Sequence, residues 1–195
     1  MISPMDSSTI SMIAAIVVLV TMSAYFSATE TAFSSMNKIR MKSRADAGDR
    51  HALLAMKLSE DYDRLISTIL IGNNIVNITA STVGTVLFTK LYEAYGPTIS
   101  TVVLTLVVLI FGEISPKSLA KEHAEGFAMF SAPILRVLLV ILRPLNFLFS
   151  QWKRLLNLIF RPSEDPGITE EELITMVSEA ENEGGLDQHE SQLIR

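Results

Sequence analysis

The sequence contains no cysteine and only three histidines. The absence of cysteine excludes disulfide bonds, thiolate zinc sites and cysteine nucleophiles, although it leaves the cellular compartment undecided. The histidines are His51, His123 and His189, which lie outside the long apolar runs, and we predict that they are solvated. The sequence offers no nucleophile and base at a recognisable spacing and no phosphate-binding glycine loop. We therefore do not expect an enzyme, and we expect no nucleic acid partner.

Charge is missing from three stretches that are long enough to cross a bilayer, for which about 20 helical residues are needed. They are Ser7 to Thr29 (23 residues), Leu65 to Thr89 (25 residues) and Ala94 to Gly112 (19 residues). The predicted fold is an all-α integral membrane protein with three transmembrane helices, at about 7–36, 63–90 and 96–120, together with amphipathic juxtamembrane helices.

Charges at the ends of these runs predict their orientation. The first run follows Asp6 rather than a basic residue and precedes no small-residue cleavage pattern, so we interpret it as a retained span. Lys90, beside Glu93, is the lone basic residue between the second and third spans. The connection between the first two spans is basic, and basic loops stay in the cytoplasm; its basic residues are Lys38, Arg40, Lys42, Arg44, Arg50 and Lys57. We predict a multi-pass protein of the cell membrane with its N-terminus outside.

A further apolar region, 126–160, is predicted to form a belt of interfacial helices rather than a fourth span. Crossing would carry several basic residues outside and place Arg136 in lipid, at a cost of about 2.5–3.5 kcal/mol. Pro144 is expected to interrupt this belt. Its polar residues recur along one helical side: Arg136, Arg143, Asn146, Ser150, Arg154 and Asn157. The alternative is a real fourth span that tolerates an arginine.

The composition changes after Pro162. Residues 1–163 contain 15 Lys and Arg against 11 Asp and Glu, whereas Glu164 to Glu190 contains ten acidic residues. Thr169 with Glu172 forms a capping box. We predict a membrane domain at 1–162, a cytoplasmic acidic helical segment at 163–195 that is truncated before a further module, and a natural protein that continues beyond this chain.

Polar residues lie within the first two predicted spans. In the first, Ser23, Ser27 and Glu30 share one helical face. The second span contains Asn73, Asn74 and Asn77 in the middle of an apolar run. Hydrogen bonds between helices would explain the hydroxyls and amides, and solvation at the cytoplasmic end would explain Glu30. The alternative is that these oxygens face a permeating ion.

The third predicted span contains a built-in helix break. Pro116 has no N–H, so the carbonyl of Gly112 lacks its helical partner, and Glu113 lies beside this break. Irregular backbone at membrane depth is tolerated only against protein or a polar cavity. We expect Lys117 to reach the cytoplasmic surface; the alternative is that it neutralises Glu113. Carboxylate, amide, hydroxyl and carbonyl oxygens without histidine or cysteine favour hard cations such as magnesium, calcium or sodium.

Three segments of the chain resemble the transmembrane domain of the CorC/CNNM family of magnesium transporters. They are FSATETAFSS from Phe26, IGNNIVNI from Ile71 and FGEISPKSLA from Phe111. The resemblance implies a homodimer that exports magnesium in exchange for sodium by alternating access. It also implies a paired CBS module after the acidic helix, which would bind ATP and is not part of this chain.

The resemblance further implies a magnesium site between the three spans. Its ligands would be Ser23 and Ser27, Asn73 or Asn74, and Gly112 with Glu113. Two other functions are compatible with the same sequence. One is a passive magnesium channel, and the other is a magnesium-sensing membrane anchor that regulates another transporter.

Overall fold

Helices account for every regular element in residues 6–159, the range that the computed structural model describes. A 3-10 turn, Glu93–Tyr95, precedes the fifth α-helix, and a π-helix, Val108–Ile114, joins the fifth to the sixth. The acidic segment predicted at 163–195 lies outside the described residues. The α-helices are α1 (Ser7–Ser35), α2 (Lys38–Asp46), α3 (Arg50–Ser59), α4 (Tyr62–Tyr92), α5 (Gly96–Val107), α6 (Ser115–Glu122), α7 (Ala124–Ile141) and α8 (Arg143–Ile159).

Three helical stretches are long and apolar enough to cross a membrane: Ser7–Ser35, Tyr62–Glu122 and Ala124–Ile141. The second has 61 residues, far more than one crossing needs. It reverses at Glu93, whose φ is 48°, and Leu104 of α5 then packs against Gly84 of α4. This hairpin contains the predicted spans 63–90 and 96–120. The third stretch is α7, so interfacial and membrane-crossing placements of residues 126–160 both fit its composition.

The two halves of α1 have different surroundings. Side chains in the first half, such as Ile10 and Val17, are exposed, as expected for a surface that faces lipid. In the second half Phe26, Ala32 and Phe33 are buried in the core that α1 shares with α4 and α7. The change from exposed to buried begins at Ser23, which has no exposed surface. The polar residues predicted in the first span therefore lie on its packed half.

Close approach between α1 and α4 depends on Gly72. A Cβ atom added to Gly72 would lie 2.5 Å from Cζ of Phe26, closer than packed atoms tolerate. Phe26 is itself 4% exposed and has little space into which it could move. The missing side chain at Gly72 thus sets the separation of the two helices next to Asn73.

We predict that Gly72→Ala destabilises the protein by about 1–3 kcal/mol, because extra volume in a packed contact forces neighbouring side chains out of their preferred conformations. Thermal unfolding in detergent measures the effect. Gly126→Ala is the matched control, since a Cβ there meets nothing within 4 Å. Alanine favours helix over glycine by about 1 kcal/mol. An equal or higher melting temperature for Gly72→Ala would contradict this packing.

The basic connection between the first two spans folds into two capped helices. The Asn37 side chain accepts from the N–H of Arg40 at the start of α2, and Asp49 accepts from His51 and Ala52 at the start of α3. The hydrogen bond from the Ala52 N–H is the largest of the interactions that hold the pKa of Asp49 below its usual value. In this region α2 packs against α3 and α3 packs against α7, which buries a small apolar cluster: Met41, Ala52, Ala55, Ala128 and Leu135.

A break separates α7 from α8 at Leu142, just before Pro144, as the sequence predicts. Residues up to Leu148 form one compact unit, and a second begins at Phe149. Within the first unit, Asn146 is 8% exposed and its Nδ2 donates to Oγ1 of Thr68 over 2.8 Å. The assignment of Asn146 to a polar face at the membrane surface is therefore wrong, because this amide binds α4.

Candidate functional site

The three predicted spans meet at Ser23. Its Oγ donates to Oδ1 of Asn73 over 3.1 Å, which joins α1 to α4. The π-helix contributes the buried Gly112, where an added Cβ would lie 3.0 Å from Oγ and 3.3 Å from Cβ of Ser23. Glycine at position 112 therefore brings the third span close to this hydroxyl and amide pair.

The helix break predicted at Pro116 takes the form of the π-helix. The N–H of Ser115 reaches back five residues to the carbonyl of Ile110 rather than four. Pro116 cannot supply the N–H that the Gly112 carbonyl would receive in an α-helix. Single π-helical turns inside α-helices are frequent at functional sites.

Ser27 lies one turn from Ser23 and is 1% exposed, and its Oγ has no hydrogen-bond partner among the described residues. Leaving a buried hydroxyl without a hydrogen-bond partner lowers the stability of the folded protein by about 1–3 kcal/mol. Such groups are rare in folded proteins. Ser27 is therefore a buried oxygen that a ligand could satisfy.

The asparagines of α4 are placed differently. Oδ1 of Asn73 accepts from Ser23 and also from Nδ2 of Asn77, over 3.4 Å. Asn74 is exposed on another side of the helix and is not brought to Ser23. Among the described residues, Asn73 is the asparagine of this pair that meets the other predicted ligands.

Glu113 lies at the border of a cavity of about 390 Å³ between α4 and α5. Asn77 also lines this cavity, so the carboxylate and the asparagine pair belong to one region. Within residues 6–159, no three or more His, Cys, Asp or Glu side chains form a group that could hold a metal ion. A cation held here would combine one carboxylate with neutral oxygens.

Lys117 forms an ion pair with Glu30, with 3.2 Å between Nζ and Oε2. This contact joins α6 to the C-terminal end of α1. The side chains are 44% and 29% exposed. Sequence reasoning considered other partners for both groups, namely the cytoplasmic surface or Glu113 for Lys117, and solvent or a cation for Glu30. The pairing explains why a carboxylate is tolerated at Glu30.

We predict that Lys117→Glu lowers the melting temperature because it places two carboxylates together at the end of α1. The double variant Glu30→Lys/Lys117→Glu should recover most of the loss, with a coupling free energy of about 1 kcal/mol for this partly exposed pair. A double-mutant cycle by thermal unfolding measures it. Lys121→Glu is the matched control, since Lys121 is an exposed lysine of the same helix. No recovery in the double variant would contradict the pairing.

Sequence reasoning missed part of this region. It treated Asn77 as one of three amides that could bond another helix or face an ion, and it assigned no role to Ser81 or Ser100. A signal was available in the four-residue spacing of Asn73, Asn77, Ser81 and Thr85, which places all four on one side of α4. Which residues of α5 lie opposite these side chains could be known only from the way the hairpin packs.

Comparison with known proteins places the chain among membrane proteins. The family model for the cyclin M transmembrane N-terminal domain, CNNM, matches residues 14–190. A UPF0053 protein of Haemophilus influenzae is 41% identical over 194 residues, which cover 97% of this chain and 46% of that protein. The UPF0053 inner membrane protein YfjD of Escherichia coli is 39% identical over 165 residues, which cover 83% of the chain and 39% of that protein.

A more distant relative carries a functional name. The polyamine export protein of Haemophilus influenzae is 28% identical over 197 residues, which cover 93% of this chain and 46% of that protein. The chain spans less than half the length of each of these three relatives.

Proposed function

Because the chain belongs to the cyclin M transmembrane N-terminal domain family, we propose that it transports magnesium across the membrane. The observation that carries the proposal is the meeting of three spans at Ser23, Asn73 and Gly112, with an unpartnered hydroxyl at Ser27 and a carboxylate at Glu113. These are hard oxygen ligands, which magnesium prefers. Serine, asparagine and backbone oxygens are neutral, so Glu113 supplies the negative charge.

The depth of the site suits transport. Ser23 is 16 residues from the start of α1 and 12 from its end, or about 24 Å and 18 Å along the helix. Transporter sites commonly lie near the midplane of the bilayer, at broken helices. In the proposed orientation the N-terminus is outside, and the basic helices α2 and α3 are cytoplasmic.

Magnesium sheds water reluctantly and usually keeps several waters when bound. A cavity of about 390 Å³ beside Glu113 has room for such waters. In the proposed site Ser23, Ser27 and Asn73 replace part of the hydration shell, and Glu113 neutralises part of the charge. The hydrogen bonds that Oδ1 of Asn73 now accepts must open when it becomes a ligand.

Two ion pairs at opposite ends of α1 suit alternating access. At the proposed outer end, Nζ of Lys90 lies 3.1 Å from Oδ2 of Asp6 and also contacts Ser8. At the proposed cytoplasmic end Lys117 holds Glu30. In the proposed cycle each pair opens in turn while the other stays closed, and an opposing sodium gradient drives magnesium outward from a homodimer.

The relative named as a polyamine exporter makes polyamine export the second candidate function. Linear polyamines carry several separated positive charges, and a matching site would offer several separated carboxylates. Among the described residues the cavity next to the site is lined by a single acidic side chain, Glu113. This favours one compact cation as the substrate.

Flux through the purified chain in liposomes tests the proposal. A magnesium-sensitive dye inside the vesicles should report magnesium movement that depends on an opposing sodium gradient. Magnesium flux that ignores sodium would indicate a passive channel. Magnesium binding without flux would indicate a sensing anchor, and movement of spermidine without magnesium would indicate the polyamine exporter.

A further inference from the structure

A polar cavity of about 600 Å³ lies at the C-terminal end of α1. Its wall combines residues from the ends of α1 and α6, from α2 and from the start of α7. A cavity of this size can enclose a small ligand or a lipid headgroup. In the proposed orientation this end of α1 is cytoplasmic, and its last residue, Ser35, lies 12 residues beyond Ser23. The cavity is therefore separate from the proposed magnesium site.

Both signs of charge line this cavity. Its charged residues are Arg40, Arg44, Lys121, Glu122 and Glu125. Nη1 of Arg40 lies 3.0 Å from Oε1 of Glu125, and Nη2 of Arg44 lies 3.4 Å from Oδ2 of Asp49. Lys121 has no ion-pair or hydrogen-bond partner among the described residues. A simple anion would meet the carboxylates and a simple cation would meet the bases, so a ligand that carries both charges fits best.

The start of α7 supplies N–H groups for the negative end of such a ligand. This helix has 18 residues, and the side chain of its N-cap residue, His123, accepts no hydrogen bond from the first turn. The unpaired N–H groups at a helix N-terminus attract phosphate. His123 and Ala124 both line the cavity, as does Lys121. A phosphate held there would have the Lys121 ammonium and the first turn of α7 as donors.

Glu125 can receive the positive end of the ligand. A carboxylate has about four lone-pair positions, so Glu125 can accept from an ammonium group while it stays paired with Arg40. Its side chain is 20% exposed, and partial burial strengthens an ion pair relative to one in solvent. A primary ammonium suits this carboxylate better than a quaternary one, because only the primary ammonium donates charge-assisted hydrogen bonds.

An apolar stripe on α7 begins at the same cavity. Gly126 lines the cavity, and Phe130 follows it by four positions on the helix. Exposed apolar residues continue from there at helical spacing: Phe130, Ile134, Val137 and Ile141. A polar pocket beside an apolar track matches a phospholipid, in which a polar headgroup is joined to acyl chains.

We propose that the cavity binds the headgroup of an ethanolamine phospholipid of the cytoplasmic leaflet. The phosphate lies between Lys121 and the start of α7, the ammonium contacts Glu125, and an acyl chain follows the stripe from Phe130. The bound lipid joins α6 to α7, both of which pack against α1. This inference does not depend on which ion the protein transports.

The test compares three phospholipids with identical oleoyl chains, added to delipidated protein in a non-ionic detergent. The readout is the lipid concentration that gives a half-maximal rise in melting temperature. Phosphatidylethanolamine should act at about one-tenth the concentration of the other two, which corresponds to one charge-assisted hydrogen bond. Phosphatidylglycerol has no ammonium group for Glu125, and the ammonium of phosphatidylcholine has no N–H.

Two substitutions separate the ends of the headgroup. Lys121→Gln should melt as wild type without lipid, because this lysine has no partner among the described residues. It should require about tenfold more of each lipid. Glu125→Gln loses its ion pair with Arg40, so its response is measured from its own lipid-free melting temperature. It should lose the preference for phosphatidylethanolamine and respond alike to all three lipids.

Lys42→Gln and Glu60→Gln are the matched controls, because both residues are exposed and neither lines the cavity; their lipid responses should equal that of wild type. Glycerophosphoethanolamine, the headgroup without chains, should not stabilise the protein at the concentrations at which the lipid does. A wild-type response in both Lys121→Gln and Glu125→Gln would overturn the site. Equal or stronger action of phosphatidylglycerol would overturn the zwitterionic ligand, and equal action of the soluble headgroup would overturn the lipid.

Discussion

Glu113→Gln is expected to abolish magnesium flux in liposomes while the protein remains folded. Glutamine keeps the size of the side chain and one oxygen, but it removes the single negative charge that the proposed site offers. Removing one partner from a poorly hydrated charge pair costs about 3 kcal/mol or more. This corresponds to roughly a hundredfold loss of affinity, and transport at physiological magnesium should fall by at least as much.

Glu122→Gln is the matched control for this change, because Glu122 is an exposed carboxylate nine residues farther along the chain, at the end of α6. Its transport should equal that of wild type, which would exclude a general effect of lost negative charge. Thermal unfolding should show that Glu113→Gln retains a cooperative transition. Undiminished flux through Glu113→Gln would remove the carboxylate from the proposed site.

Gly112→Val is expected to reduce magnesium transport at least tenfold. A Cβ alone at Gly112 would crowd Ser23, and the two methyl groups of valine extend farther toward α1. The Ser23 hydroxyl should then lose its contact with Asn73, and the three spans can no longer converge. The same overpacking costs about 1–3 kcal/mol of stability, which thermal unfolding measures in parallel.

Gly112→Ala gives a graded version of this change. Its Cβ would lie 3.0 Å from Oγ of Ser23, so a shift of a few tenths of an ångström relieves it. We expect an intermediate loss of transport with little loss of stability. Gly126→Val serves as the control for placing valine at an uncrowded helical glycine. Equal transport by Gly112→Val and wild type would contradict the close approach at Ser23.

Several features of the fold could be predicted from charge and hydropathy. The helices α1 and α4 coincide with the predicted spans 7–36 and 63–90 to within two residues. The charge-free run ends at Lys90 near the end of α4, whereas α1 continues five residues past Glu30. The break near Gly112 was predictable because proline removes a specific N–H. The π-helical form of that break was not, since it depends on how the preceding turn adjusts.

Contacts between residues that are far apart along the chain could not be predicted from the sequence. Neighbouring residues on a helix point about 100° apart, so the choice between Asn73 and Asn74 required the rotation of α4 against α1. The ion pair of Glu30 with Lys117 likewise depends on where α6 meets α1. The role of Asn146 was misjudged because its partner, Thr68, lies 78 residues away on α4.

A structure determined with magnesium tests the central claim most directly. The account predicts one ion near the middle of the three spans, about 2.0–2.1 Å from oxygens of Ser23, Asn73 and Glu113, with waters completing the octahedron. The Asn73 oxygen should have released its hydrogen bond from Ser23. Magnesium bound only at other residues, with Ser23, Asn73 and Gly112 still in their present contacts, would contradict it.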